Sequence, residues 1–357
     1  MRPAIRLIDP LADARFDRFV RHHRNATVYH LAAWARLLST LYGDEPVYLA
    51  AEDPHGNIKG VLPLVLTRGV MSGARMNSLP LEGVAGPLTS SREDEAALVA
   101  AACALTRERD ATRLEFRSTT SGCEGLNVNV EVAPGRPTWV IDLPPDAEEL
   151  RARWPRNLQR DVEKADAAGL TVRQGDATAD LRSFYRMYLE TMRKHLAVPR
   201  SLRHLGLARE LLAPSGAHRL VLVERHGAPV AGGVFHAFGD TVEAVYTASD
   251  RRFLDLRPNH ALYSHVFRWA IEQGFRHFDW GGCSNSSLEW FKRRWGAEPV
   301  AVFHYAYSPD ASVAGVERLH RLRSRVQAEE PTFLALAWSR TPLALTRLAG
   351  RLVYRYL

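Results

Sequence analysis

Residues 278–300, FDWGGCSNSSLEWFKRRWGAEPV, decide how this chain folds and where it works. Phe278, Asp279 and Trp280 read as the end of a buried strand. Gly281-Gly282 removes two Cβ atoms, so the backbone there can come close to a ligand. Ser286 followed by Glu289 has the spacing of a capping box, which predicts a helix start, and Gly296 predicts its stop. Leu288, Phe291 and Trp295 fall on one face of that helix. Arg293 and Arg294 are expected to turn away from it, with Lys292 at its margin. A strand, a glycine turn and a short amphipathic helix in this order form the edge of a site.

The rest of the chain bounds what that site can be. At 357 residues it exceeds what one hydrophobic core usually supports, which predicts two lobes. A hydrophobic fraction of 46% with 24% charged residues, and no low-complexity tract, excludes a disordered chain. The cysteines, Cys103, Cys123 and Cys283, are odd in number and form no C-x-x-C pair. They argue against a disulfide framework or a structural zinc site and fit a reducing, cytoplasmic setting. The first residues, MRPAIRLIDPLADARF, have no apolar signal core, and no apolar run is long enough to span a bilayer, so any membrane contact is expected to be peripheral. The net charge of +7 suggests a polyanionic partner: a tRNA, a nucleotide-linked precursor or anionic lipid.

Periodicity and turn signals predict a helix over 30–41, strands over 46–51 and 58–67 about a His55-Gly56-Asn57 turn, a helix over 91–109, and strands over 113–117, 127–132 and 138–142. The second half reads as a helix over 146–168, a strand over 170–173, helices over 177–195 and 201–213, an antiparallel meander over 219–247, and a helix over 259–274. Two stretches, YLAAEDPHGNIKGVLPLVL from Tyr48 and LVLVERHGAPVAGGVFHAF from Leu220, share a strand, a His-Gly turn and a return strand. They suggest a duplicated fold. Its boundary is expected where Pro137, Pro144 and Pro145 punctuate the chain, giving lobes over 1–137 and 138–308 and a tail over 309–357.

The segment 251–259, RRFLDLRPN, follows the meander and lacks the glycines with which a backbone loop cradles a pyrophosphate at a helix N-terminus. Asn259 is expected to cap the helix after it. Taken with Thr138-Trp-Val-Ile-Asp-Leu143, Glu163-Lys-Ala-Asp-Ala-Ala-Gly-Leu170, Leu256-Arg-Pro-Asn-His-Ala-Leu262, Phe278-Asp-Trp-Gly-Gly282, Phe291-Lys292 and Gly296-Ala297, this part of the chain resembles the Fem-type branch of the GNAT acyltransferase superfamily. The likeness covers residues 138–305 well and the first half loosely. It implies an α/β (α+β) fold of two GNAT-like lobes, each a mixed, largely antiparallel sheet flanked by helices. It also implies N-acyl transfer to an amine of a cell-envelope precursor, of peptidoglycan or surface polysaccharide. The donor it implies is a co-substrate, acyl-CoA or aminoacyl-tRNA, with no tightly bound cofactor and no metal.

By the same resemblance the phenylalanine-lysine pair lies at the transfer centre, with Lys292 stabilising charge that develops on the acyl group. The chemistry agrees: attack of an amine on an ester or thioester creates an oxyanion, and one well-placed donor lowers such a barrier by ~3 to 4 kcal/mol. Phe291, Gly281, Gly282 and Asn285 are expected to line the site, and Tyr246, at the end of the meander, to contact substrate. Arg156 and Arg160, on a basic segment with Arg151, Arg153 and Lys164, are candidates for phosphate contacts. Glu243, Asp279 and Glu289 are candidate bases, although Glu289 is first accounted for as part of a cap.

Two other readings stand beside this one. A non-catalytic basic module would hold nucleic acid or a membrane surface, and a Cys283-dependent transferase or hydrolase would use His277 as its base. The stretch 333–357, FLALAWSRTPLALTRLAGRLVYRYL, has basic residues and no acid, and reads as an interfacial helix on the inner face of a membrane. No coiled-coil arm of the kind found in some tRNA-dependent relatives is expected between residues 160 and 215.

Overall fold

The protein is described by a computed structural model over residues 3–69, 73–78, 83–120, 130–195, 197–283 and 285–309. All but the first residue of the expected tail over 309–357, with its membrane-facing stretch, lies outside the described residues, as do Cys123, Ser284 and residues 127–129 of one expected strand.

The second lobe is built on a seven-stranded sheet in the order Leu170–Gln174, His218–Arg225, Ala228–Phe238, Thr241–Ser249, His277–Gly282, Thr138–Asp142, Glu298–Val300. Alternation along the strands covers both faces. Val221 and Val223 pack with Leu158, Val162, Val266 and Phe267 of helices Arg156–Ala167 and Pro258–Glu272. Leu220 and Leu222 pack on the other side with Leu181, Phe184 and Tyr188 of helix Thr178–Lys194. The meander turns at His226-Gly227, both with positive φ (50° and 75°), as a two-residue hairpin needs to match the strand twist.

One parallel contact breaks the antiparallel pattern. Thr241, Val242 and Glu243 pair with His277, Phe278 and Asp279, and pairing stops there although the first strand continues to Ser249. The two strands therefore part just beyond Glu243 and Asp279. A register shift opposite Val234 and Phe235 adds a bulge in the same stretch, before Tyr246. The first lobe repeats the device, since strands Gly73–Asn77 and Arg113–Ser118 pair in parallel across helix Arg92–Glu108.

Several expectations change in the structure. The predicted helix over 146–168 is two helices, Ala147–Ala152 and Arg156–Ala167, because Pro155 offers no N–H to an ongoing helix. The predicted strand over 58–67 is also two. Pro63 cannot donate to a ladder, and there the chain passes from the four-stranded sheet of the first lobe, which holds Ile58–Leu62, to its six-stranded sheet, which holds Val65–Gly69. Strand Phe303–Tyr307, within the range expected for the second lobe, crosses back and pairs between Arg113–Ser118 and Glu131–Pro134 of the first. Tyr305 stacks on Phe116 at 4.7 Å in that core.

The lobes are joined by apolar packing. Trp34, Leu37 and Leu38 of helix Ala32–Tyr42 share a core with Ala208 and Leu212 of helix Leu202–Leu212. Next to this joint, His30 pins the segment before the helix. Its Nδ1 accepts from the Thr27 amide and its Nε2–H donates to the Gly86 carbonyl, both at 3.0 Å.

Burial holds His30, His218 and His260 neutral, each down to about 4. An unfolded imidazole titrates near 6.5, so the unfolded chain takes up protons that the native fold refuses. The stability tied to these groups is full above pH 6.5 and is lost as pH falls from there towards 4. Between pH 7 and pH 5 the three together should lower the unfolding free energy by on the order of 5 kcal/mol. Urea titrations at the two pH values check this, and an unchanged midpoint would contradict it.

Candidate functional site

The site is built on the corner that opened the sequence. Strand His277–Gly282 ends with Gly281 at φ 65°, in the left-handed region, and helix Ser286–Arg294 begins a few residues later. The cap is one residue earlier than predicted. Asn285 is the N-cap, its side-chain oxygen accepting from the Leu288 amide at 3.0 Å. Glu289 is bonded to Arg293 one turn on and takes no part in the cap. Gly282 is required by its neighbours, since a Cβ there would stand 2.8 Å from Arg136 Cδ.

Lys292 does not lie at the helix margin. It is 7% exposed, and its ammonium donates to the carbonyl oxygens of Trp280 (2.8 Å), Gly281 (2.8 Å) and Gly282 (3.0 Å). All three N–H bonds thus go to the backbone of the turn. Burial pushes the ammonium down from its usual value, while the neighbouring Cys283 and Asp279 oppose that shift. Phe291 is half-buried in an aromatic cluster, 5.8 Å from Trp280, 6.0 Å from Tyr263 and 5.7 Å from His260 between ring centres. Tyr246, after the bulge, lies 5.2 Å from the ring of Tyr188. Arg156 and Arg160 are exposed on the first two turns of their helix. Cys283 and His277 sit at opposite ends of the strand, and His277 is bonded to Asp142 at 2.8 Å, so the structure separates the expected thiol-imidazole pair.

Arg294, expected on the outer face, turns inward. Its guanidinium donates to Asp161 Oδ2 at 2.9 Å, and Asp161 Oδ1 accepts from Arg257 at 2.7 Å. His260 Nε2 lies 3.6 Å from the same carboxylate. Asp161 thus gathers three elements beside the 251–257 turn. That turn is a 3-10 helix whose amides are spent internally: Arg252 donates to Asp250 Oδ1 (3.0 Å), Phe253 to the Asp250 carbonyl (3.1 Å) and Arg257 to the Leu254 carbonyl (3.1 Å).

A cavity of about 410 Å³ opens between the lobes where the two strands part. Glu243, Asp279, Thr138 and His236 line it from the second lobe, and residues 21–28 from the first. Glu243 accepts from the Tyr29 hydroxyl across the lobes at 2.8 Å. Asp279 Oδ1 accepts from the Thr138 hydroxyl and, at 2.7 Å, from the Gly281 amide. Burial raises the Asp279 carboxyl above its usual value against those two bonds and the Lys292 charge. Among the eight site residues expected from the sequence, none lines this cavity, whereas two of the three candidate bases do. Sequence reasoning missed Tyr29, Thr138 and His236. Only the last left a signal, as the one histidine in the otherwise apolar run GGVFHAF. Among the described residues no group of three or more His, Cys, Asp or Glu side chains is placed to hold a metal. None of the described helices is long and apolar enough to cross a membrane.

Residues 152–293 match the family model described as an acetyltransferase (GNAT) domain. The chain is 23% identical over 325 residues to a UDP-N-acetylmuramoylpentapeptide-lysine N(6)-alanyltransferase of Weissella viridescens, covering 87% of this chain and 93% of that protein. The crystal structure of FemX superposes with a TM-score of 0.73 at 16% identity, covering 88% of this chain and 99% of the other. A tandem GNAT protein from the clavulanic acid biosynthesis pathway superposes with a TM-score of 0.53 at 13% identity, covering 87% and 99%. Residues 152–293 thus carry a GNAT acetyltransferase domain, in a chain similar over most of its length to a Fem-type alanyltransferase and to the FemX fold.

Proposed function

We propose that this protein transfers an aminoacyl group from an ester donor to an amine of a peptidoglycan precursor. The observation that carries the reading is the interlobe cavity with two carboxylates at the point where the strands part, in a chain similar over most of its length to an enzyme that alanylates a lysine side chain. In the reaction the acceptor ammonium first gives up one proton to a cavity carboxylate, Glu243 or Asp279. Its nitrogen then forms a C–N bond to the acyl carbon while the ester C–O bond breaks, and the second proton ends on the departing oxygen.

The turn at 251–257 favours an aminoacyl ester on tRNA over a CoA thioester. Its amides are occupied, and a pyrophosphate brought there would meet the fixed Asp161 carboxylate. The outer surface of the same corner suits a nucleic acid. Arg156, Arg160 and Lys164 recur every four residues along one exposed helix side, and Trp290 is 58% exposed with the Arg294 guanidinium 4.7 Å from its ring centre. Such cations take phosphates and an open indole takes a base. Lys292 acts as a positioning residue: it fixes the Gly281-Gly282 turn, and through it the Gly281 amide that holds Asp279.

Incubation of the protein with a UDP-linked muramoyl pentapeptide and a pool of charged tRNAs should raise the precursor mass by one amino-acid residue, and acetyl-CoA in place of the tRNAs should give no product. Acetylation by CoA, or an unaltered precursor with every charged tRNA, would contradict the reading.

A further inference from the structure

Resting on that reading of the cavity, we infer that Glu243 and Asp279 form a dedicated seat for the ammonium group of the acceptor, with the buried His236 imidazole bonding a neutral polar group beside it. The two carboxylates face each other across the last paired position of parallel strands, so they project to the same side of the sheet. Glu243 accepts from Tyr29 of the first lobe, and Asp279 Oδ1 accepts from Thr138 and Gly281. Asp279 Oδ2 takes no hydrogen bond among the described residues and remains for a ligand donor.

His236 supplies an independent observation. It is 2% exposed and lines the cavity, and neither ring nitrogen has a hydrogen-bond partner among the described residues. The rings of His218, Trp34 and Tyr29 pack around it at 5.4, 5.9 and 6.1 Å between centres. A buried imidazole with both nitrogens unused costs stability unless an occupant bonds it. Burial keeps the ring neutral, so it offers one donor and one acceptor, as an amide or hydroxyl of a peptide requires, and adds no charge to repel an ammonium.

The first lobe contributes the other sign. Arg21 and Arg24 lie on the 21–28 segment that lines the same cavity. A ligand that places an amine on the floor and a carboxylate or phosphate at the rim would satisfy both walls. The matching chemical class is a peptide with a free side-chain amine and acidic groups farther along its chain. Tyr29 ties the seat to the first lobe, because its hydroxyl bonds Glu243 at 2.8 Å.

The probes that test this are a stem pentapeptide with a free lysine side chain and the same peptide acetylated on that amine, titrated by calorimetry against the full chain. Wild type should bind the free amine at least about tenfold more tightly, and Glu243→Gln should reduce the preference to about twofold or less. Tyr29→Phe, which keeps the ring and removes its hydroxyl bond to Glu243, should give an intermediate value and guards against a misfolded Gln variant. Equal binding of both peptides to wild type, no binding of either at millimolar concentration, or a tenfold preference that survives in Glu243→Gln would overturn the inference. Aminoacyl transfer with the preference unchanged in the variant would remove the ammonium seat and leave the proposed reaction. An amine preference lost in the variant, with no transfer from any donor, would keep the seat and remove the reaction.

Discussion

One buried ammonium holds the corner on which the rest of the site depends. The strand passes an irregularity in its pairing at Trp280 and Gly281 before it ends at Gly282, and carbonyls left unpaired away from water are costly. Lys292 reaches the carbonyls of Trp280, Gly281 and Gly282 from the second turn of the following helix and bonds all three. The same bonds make the lysine's own burial tolerable, since a desolvated charge is stable only when its hydrogen bonds are met. Aromatic rings close over the corner, with Trp280 and Phe291 above it and Trp295 against Trp154 behind. With the turn fixed, the Gly281 amide points at Asp279, and Asp279 faces the cavity.

Charge is arranged in three separate places. The cavity has an acidic floor from the second lobe and a basic rim from the first. The outer face carries an exposed cationic stripe beside an open indole. Between them Asp161 acts as an internal anion, neutralising Arg257 and Arg294 at the position where a phosphate-binding loop would otherwise gather its positive ends.

Much of the fold was legible because it depends on local rules. Hairpin glycines, helix periods and the strand–turn–helix at 278–300 all follow from patterns within a few residues. Errors arose where one residue overrode the pattern, as Pro155 and Pro63 did, or where a long-range partner decided orientation. Arg294 turns inward because Asp161, on a helix more than a hundred positions earlier, is there to receive it. The return of strand 303–307 to the first lobe is a pairing between distant segments that no local period encodes. The site was half legible for the same reason. Glu243 and Asp279 stood out as carboxylates, but Tyr29 reaches Glu243 only through the packing of helix 32–42 on helix 202–212. Lys292 was found by its place in a motif, whereas its three carbonyl bonds require the turn's actual geometry.

The claim that Lys292 holds this corner is tested most directly by amide hydrogen exchange, comparing wild type with Lys292→Met. Loss of three charge-assisted bonds, ~3 kcal/mol after the methionine refills part of the space, should speed exchange across 281–294 by about 100-fold or more and leave helix 92–108 unchanged. Equal protection of 281–294 in the two proteins would contradict the account.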